Sequence, residues 1–132
     1  MFKATIPNGT TLTNGNPIPL SVVLNTNRKT IYDEVNREVI IREPGYYDVT
    51  VSLTLTDATA SPLALQIVSN GDVLKEITQD ITVTTGTETI VLIDMIRVVS
   101  TYNNEYVPLS FVIDGGAADC FNDGLVLIEN RR

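Results

Sequence analysis

The chain has 132 residues, 43% of them apolar and 19% charged, with a formal net charge of −7. That size and composition fit one globular domain, residues 1–132, with a core of its own. The acidic balance argues against nucleic acid and anionic lipid as partners, and no apolar run reaches the ~18 residues of a membrane span.

Phe2 to Ile6 reads as a first strand, closed by Pro7-Asn8-Gly9. The opening residues hold neither an apolar stretch of ~7–15 residues nor a small-residue cleavage site, so no signal peptide is expected. A loop of Thr, Asn, Gly and Pro follows as far as Pro19, and Leu20 to Leu24 reads as a short apolar strand. Asn25-Thr26-Asn27 turns the chain into Thr30-Ile31-Tyr32-Asp33, and Val39 to Ile41 is the next strand. After the turn Glu43-Pro44-Gly45, Tyr47, Val49, Val51, Leu53 and Leu55 alternate with Asp48, Thr50, Ser52, Thr54 and Thr56. A period of two marks a strand with one buried face, and the β-branched and aromatic residues suit a pleated surface.

Asp57 to Pro62 is a loop, and Leu63, Leu65 and Ile67 alternate again. Asn70-Gly71 between two strand-like runs predicts a hairpin, since both residues tolerate positive φ. Val73 to Val83 continues with a break near Gln79-Asp80, and Thr85-Gly86-Thr87 is a turn. Ile90 to Val99, Tyr106 to Ile113 and Leu125 to Glu129 are the remaining strands, the last two joined by a Gly- and Asp-rich loop. No stretch carries a helical period with caps. About ten strands at roughly 8–12-residue spacing imply an antiparallel β-sandwich or barrel.

Two strands do not alternate. Ile90 to Ile96 and Leu125 to Ile128 are apolar on both faces. A sandwich strand needs only one apolar face for its own core, so something must cover the other. A neighbouring subunit is the simplest cover; a loop of the same chain is the alternative.

Little in the chain points to chemistry. There is no histidine, which removes the commonest general base and the serine-type triad. No phosphate loop or nucleophile elbow is present. Asp33, Glu34, Asp57, Asp80 and Glu88 sit in turns, where carboxylates are ordinary. The single cysteine, Cys120, has no internal disulfide partner and reads as a structural thiol. Asp114, Asp119 and Asp123 lie on a Gly-rich loop that offers calcium-type oxygen ligands, but it lacks the twelve-residue EF-hand pattern and a solvated turn cluster is the favoured reading. Asn8, Asn14, Asn16 and Asn27 present polar loop chemistry or a surface for glycan or protein contact. No catalytic residue, metal ligand or cofactor is assigned.

The order of segments over the whole chain resembles the complement-component-one-q-like and tumour-necrosis-factor-like jelly-roll family. The resemblance rests on Phe2-Lys3-Ala4, on Pro17-Ile18-Pro19-Leu20 with Val23-Leu24-Asn25 and Ile31-Tyr32-Asp33, and on Val39-Ile40-Ile41 followed by Pro44-Gly45-Tyr46-Tyr47. It continues through Leu65 to Gly71, Thr85 to Val98 and Phe121 to Leu127. Val49 stands where the family often has Phe, one extra residue separates Phe121 from Gly124, and Trp is absent; these departures point away from the vertebrate secreted branch.

The resemblance implies a ten-strand jelly roll assembling as a homotrimer, with closed cyclic symmetry and head-to-tail contacts. The doubly apolar strands then supply the interface, expected at Val91, Ile93, Met95, Val126 and Ile128. It also implies a non-enzymatic head, and because the chain holds no Gly-X-Y repeat, a head without the collagen-like stalk of vertebrate members is expected. The expected role is a bacteriophage or prophage virion component (decoration, head-fibre or fibre-knob protein) docking on another particle protein. The alternative is an adhesin or receptor-binding head for a cell-surface glycan or protein; a secreted signalling ligand would need an export signal.

Overall fold

The computed structural model describes residues 1–26, 29–83, 86–99 and 107–131. The turn residues Asn27 and Thr85 and the strand start at Tyr106 lie outside the described residues. Twelve strands are described: β1 (Phe2–Ile6), β2 (Thr11–Leu12), β3 (Ser21–Asn25), β4 (Thr30–Asp33), β5 (Glu38–Ile41), β6 (Gly45–Thr56), β7 (Leu63–Ser69), β8 (Asp72–Gln79), β9 (Glu88–Val98), β10 (Val107–Asp114), β11 (Ala118–Cys120) and β12 (Gly124–Arg131).

They form two antiparallel sheets. In the front sheet β6 is flanked by β9 on one side and by β12 on the other, and β1 and then β3 continue beyond β12. Past the end of β12, β11 takes over the same flank of β6 and carries β2 outside it. The back sheet runs β4-β5-β10-β7-β8. This is a jelly-roll sandwich, as expected. The ten anticipated strands become twelve because β2 and β11, each inside a stretch read as loop, pair with each other through Ala118↔Leu12 and Asp119↔Thr11. Strands of two and three residues are too short to show a period.

The alternation in β6 sets the core. Tyr47, Val49, Val51, Leu53 and Leu55 are fully buried, whereas Asp48, Thr50, Ser52, Thr54 and Thr56 are half-buried on the other face. Across the sandwich they meet the inward residues of the back sheet, among them Val39, Ile41, Leu65, Ile67, Leu109, Phe111 and Ile113. Burial of one such side chain stabilises the fold by about 1.5–3 kcal/mol. Tyr47 is anchored as well as buried, because its hydroxyl donates to the Glu43 carbonyl at 2.8 Å. The Asn70-Gly71 hairpin forms between β7 and β8 with φ of 50° and 82°, the left-handed pair that a two-residue turn of type I′ requires.

One expectation is corrected here. Val126 and Ile128 were assigned to a subunit interface, but both are fully buried within the single chain. Their register explains it: Val126 lies between Ala4 and Val51, and Ile128 between Phe2 and Val49, all core residues. The inward parity of β6 and β1 is thereby imposed on β12. Its outward residues are Leu125, Leu127 and Glu129.

Gly124 opens β12 at a close approach. A Cβ there would stand 2.7 Å from Leu53 Cδ2 and 3.1 Å from Ile6 Cβ, so only glycine lets the strand enter the sandwich at this depth.

Candidate functional site

The outer face of the front sheet is the most unusual surface of the molecule. The strand registers place Leu24, Lys3, Leu127, Thr50 and Ile93 in one row across it. A second row holds Thr5, Leu125, Ser52 and Val91, and a third holds Glu129, Asp48 and Met95. Thr50 and Ser52 of β6, both small and hydroxylated, stand between the leucines of β12 and the apolar residues of β9. Ile93 is 64% exposed, with Val91 at 43%, Met95 at 46% and Leu24 at 44%. Exposed apolar side chains gathered on one sheet face in this way mark an interaction surface.

Each end of this face is polar. At one end the Thr54 and Thr89 hydroxyls hydrogen-bond at 2.9 Å. At the other, Arg131 holds Asp48 through Nε–Oδ2 at 3.1 Å and Nη2–Oδ1 at 3.1 Å. The same guanidinium touches Met95 Sδ at 3.3 Å, and Arg97 stacks 5.7 Å from the Tyr46 ring centroid. A polar rim around an apolar centre is the anatomy of a protein–protein contact surface.

Of the residues assigned from sequence, Val91, Ile93 and Met95 thus sit together on this face, while Val126 and Ile128 lie behind it in the core. Sequence reasoning missed Leu125, Leu127, Leu24 and Lys3. Glu129 carried the signal for β12: a charge on the parity of Leu125 and Leu127 marks that parity as the wet one.

The remaining polar candidates resolve into loop chemistry. Asn8 and the Asn122–Asp123 turn clamp each other: Asn8 N–H donates to Asp123 Oδ1 at 2.9 Å, and Asn122 N–H donates to Asn8 Oδ1 at 2.8 Å. Asn14 Oδ1 accepts from Gly115 N–H at 3.0 Å, and Asn16 Nδ2 donates to Thr13 Oγ1 at 2.6 Å. Asn27 lies outside the described residues. Asp33 accepts from Val35 N–H, Asn36 N–H and Asn36 Nδ2, and the Asn36 side-chain bond foremost holds its carboxyl below the usual range.

Asp114, Asp119 and Asp123 do not form a metal-sized group; among the described residues no three Asp, Glu or Cys side chains do. Cys120 is buried against the Ile6 and Asn122 carbonyls, and burial pushes its thiol up. A thiol held protonated and enclosed is a packing group, not a nucleophile.

No protein-family model matches the chain, and no curated protein matches it. Solved structures do match. The Eiger TNF protein of S. frugiperda superposes with a TM-score of 0.70 at 10% identity, over 99% of this chain and 95% of that one. The globular domain of the zebrafish complement 1qA protein gives 0.63 at 9% identity, over 98% and 97%. The PRD1 vertex protein P5 gives 0.58 at 13% identity, over 96% and 92%. At such identities the likeness is one of fold, and it spans the whole chain.

Proposed function

We propose that this chain, whose fold is that of the TNF-like and C1q-like jelly rolls, is a non-enzymatic structural head that assembles as a homotrimer. The observation that carries this reading is the outer face of the front sheet, where β9 and β12 show apolar side chains in two neighbouring rows that the chain's own core does not use. Val91, Ile93 and Met95 from β9, with Leu125 and Leu127 from β12, are the interface residues. The head belongs to a virion, where it docks on another particle protein. Support for that placement comes from the end-to-end likeness of fold to the PRD1 vertex protein, together with a surface that offers contact area.

The assembly is tested by Ile93→Asp. The side chain is exposed in the single chain, so the variant folds, but a carboxylate in a covered apolar face is not tolerated. A folded monomer is the expected result; unchanged mass would refute the interface. The virion role is tested by mass spectrometry of purified particles from the source cells. The chain is expected among particle proteins, and its presence on the cell surface alone would favour the adhesin reading.

A further inference from the structure

A cleft of about 310 Å³ opens at the β8–β9 edge of the sandwich, lined by Ser69, Leu74, Asp94, Met95, Ile96, Arg97 and Val107. Asp94 gives it its character. From Ile90 to Val98 the inward residues of β9 are Ile90, Leu92, Asp94, Ile96 and Val98; the four apolar ones are buried and Asp94 is half-buried. Its strand partner is the core residue Val49. Among the described residues no hydrogen bond or ion pair reaches the Asp94 carboxylate. The described ion pairs are Lys29–Glu43 and Asp48–Arg131. Arg97, at the cleft rim, is turned over Tyr46, and Lys75 on β8 does not line the cleft.

The outer face carries the opposite deficit. Lys3 is half-buried between Leu24 and Leu127, and among the described residues it has no ion pair. Arg131 on the same sheet is already engaged by Asp48. If this face is covered, as the proposed assembly requires, Lys3 needs an anion from whatever covers it, because an unpaired buried charge is expensive. If the β8–β9 edge supplies the cover, Asp94 needs a cation.

We infer that Lys3 of one copy seats in the Asp94 cleft of the next, so that each copy offers a cation to one neighbour and a carboxylate to the other. Lys3 shares its register row with Ile93, the residue before Asp94. One head-to-tail contact that pairs Lys3 with Asp94 satisfies both charges and repeats around a closed ring. The pair fixes the vertical register of an interface whose apolar residues alone would slide. This inference rests on the trimeric reading and adds to it the charge pair that sets the register.

The test uses the full chain with Lys3→Asp, Asp94→Lys and the double reversal, followed by light-scattering mass over a dilution series. Circular dichroism verifies that each variant is folded. Each single reversal is expected to raise the dissociation midpoint about tenfold or more, and the double reversal to bring it back to within about threefold of wild type. Lys75→Ala is expected to leave the midpoint unchanged. Mixing the two single variants restores alternating contacts only, so a three-membered ring stays weakened at one junction. A wild-type trimer in which the double reversal is no better than the singles, or in which Lys75→Ala matches Lys3→Asp, overturns this pairing and leaves the trimer standing. A wild-type monomer overturns both.

Discussion

Strands β6 and β9 lie side by side over eleven paired residues, from Gly45↔Val98 to Leu55↔Glu88, yet they face the solvent differently. Inward, both are apolar apart from Asp94. Outward, β6 shows Tyr46, Asp48, Thr50, Ser52 and Thr54, while β9 shows Val91, Ile93 and Met95 between Thr89 and Arg97. The inward chemistry is dictated by the fold and is shared. The outward chemistry is free to vary, so it reports what the sheet meets after folding.

The sharpest way to break this comparison is to place the same charge on its two sides. Val51→Asp puts a carboxylate at a fully buried position, and the chain is expected not to fold, at a cost above about 4 kcal/mol. Ile93→Asp is expected to retain its circular dichroism spectrum and lose only assembly. Equal damage from both changes would mean that the outer face of β9 is part of the single chain's core. Next in size, Leu53→Ala leaves a cavity between the sheets and is expected to cost about 2–5 kcal/mol in denaturant unfolding. Gly124→Ala crowds Leu53 and Ile6 and is expected to cost about 1–3 kcal/mol; a neutral result would show that β12 can withdraw from the core, and with it the parity assigned to Leu125 and Leu127.

The smallest effect concerns Tyr47. Burial foremost, and the nearby Glu43 charge, hold its phenol above the usual value of about 10. A group whose pKa is raised on folding contributes its stability in full below the unfolded value and loses it as pH rises through the folded one. Alkaline unfolding is therefore expected to steepen above pH ~10, and Tyr47→Phe to flatten that limb while costing about 1 kcal/mol at neutral pH from the lost bond to Glu43.

Where one face of a strand was polar, the sequence alone was enough. The parity of β6 and the Asn70-Gly71 hairpin could be read directly, because Thr, Ser and Asp on alternate positions, or two residues tolerant of positive φ, leave a single physical solution. In β12 both parities are apolar from Leu125 to Ile128, so periodicity was silent and the choice fell on Val126 and Ile128. The register to Ala4 and Val51, a contact between residues far apart in the chain, decides it the other way. The pairing of β2 with β11 was invisible for the same reason. Asp94 shows the converse: the sequence places it inside a run apolar on both faces, and only the cleft at the sheet edge gives its charge a place. The acidic loop and the asparagines stand out by composition, but Asn8, Asn14, Asn16 and Asp123 make hydrogen bonds that hold loops in place.

The most direct test of the account is the light-scattering mass of the purified protein at micromolar concentration. Three chains of 14.4 kDa each, falling to one in the folded Ile93→Asp variant, is the predicted result. A wild-type mass of a single chain would contradict it, because the apolar rows of the front sheet would then face water with nothing to cover them.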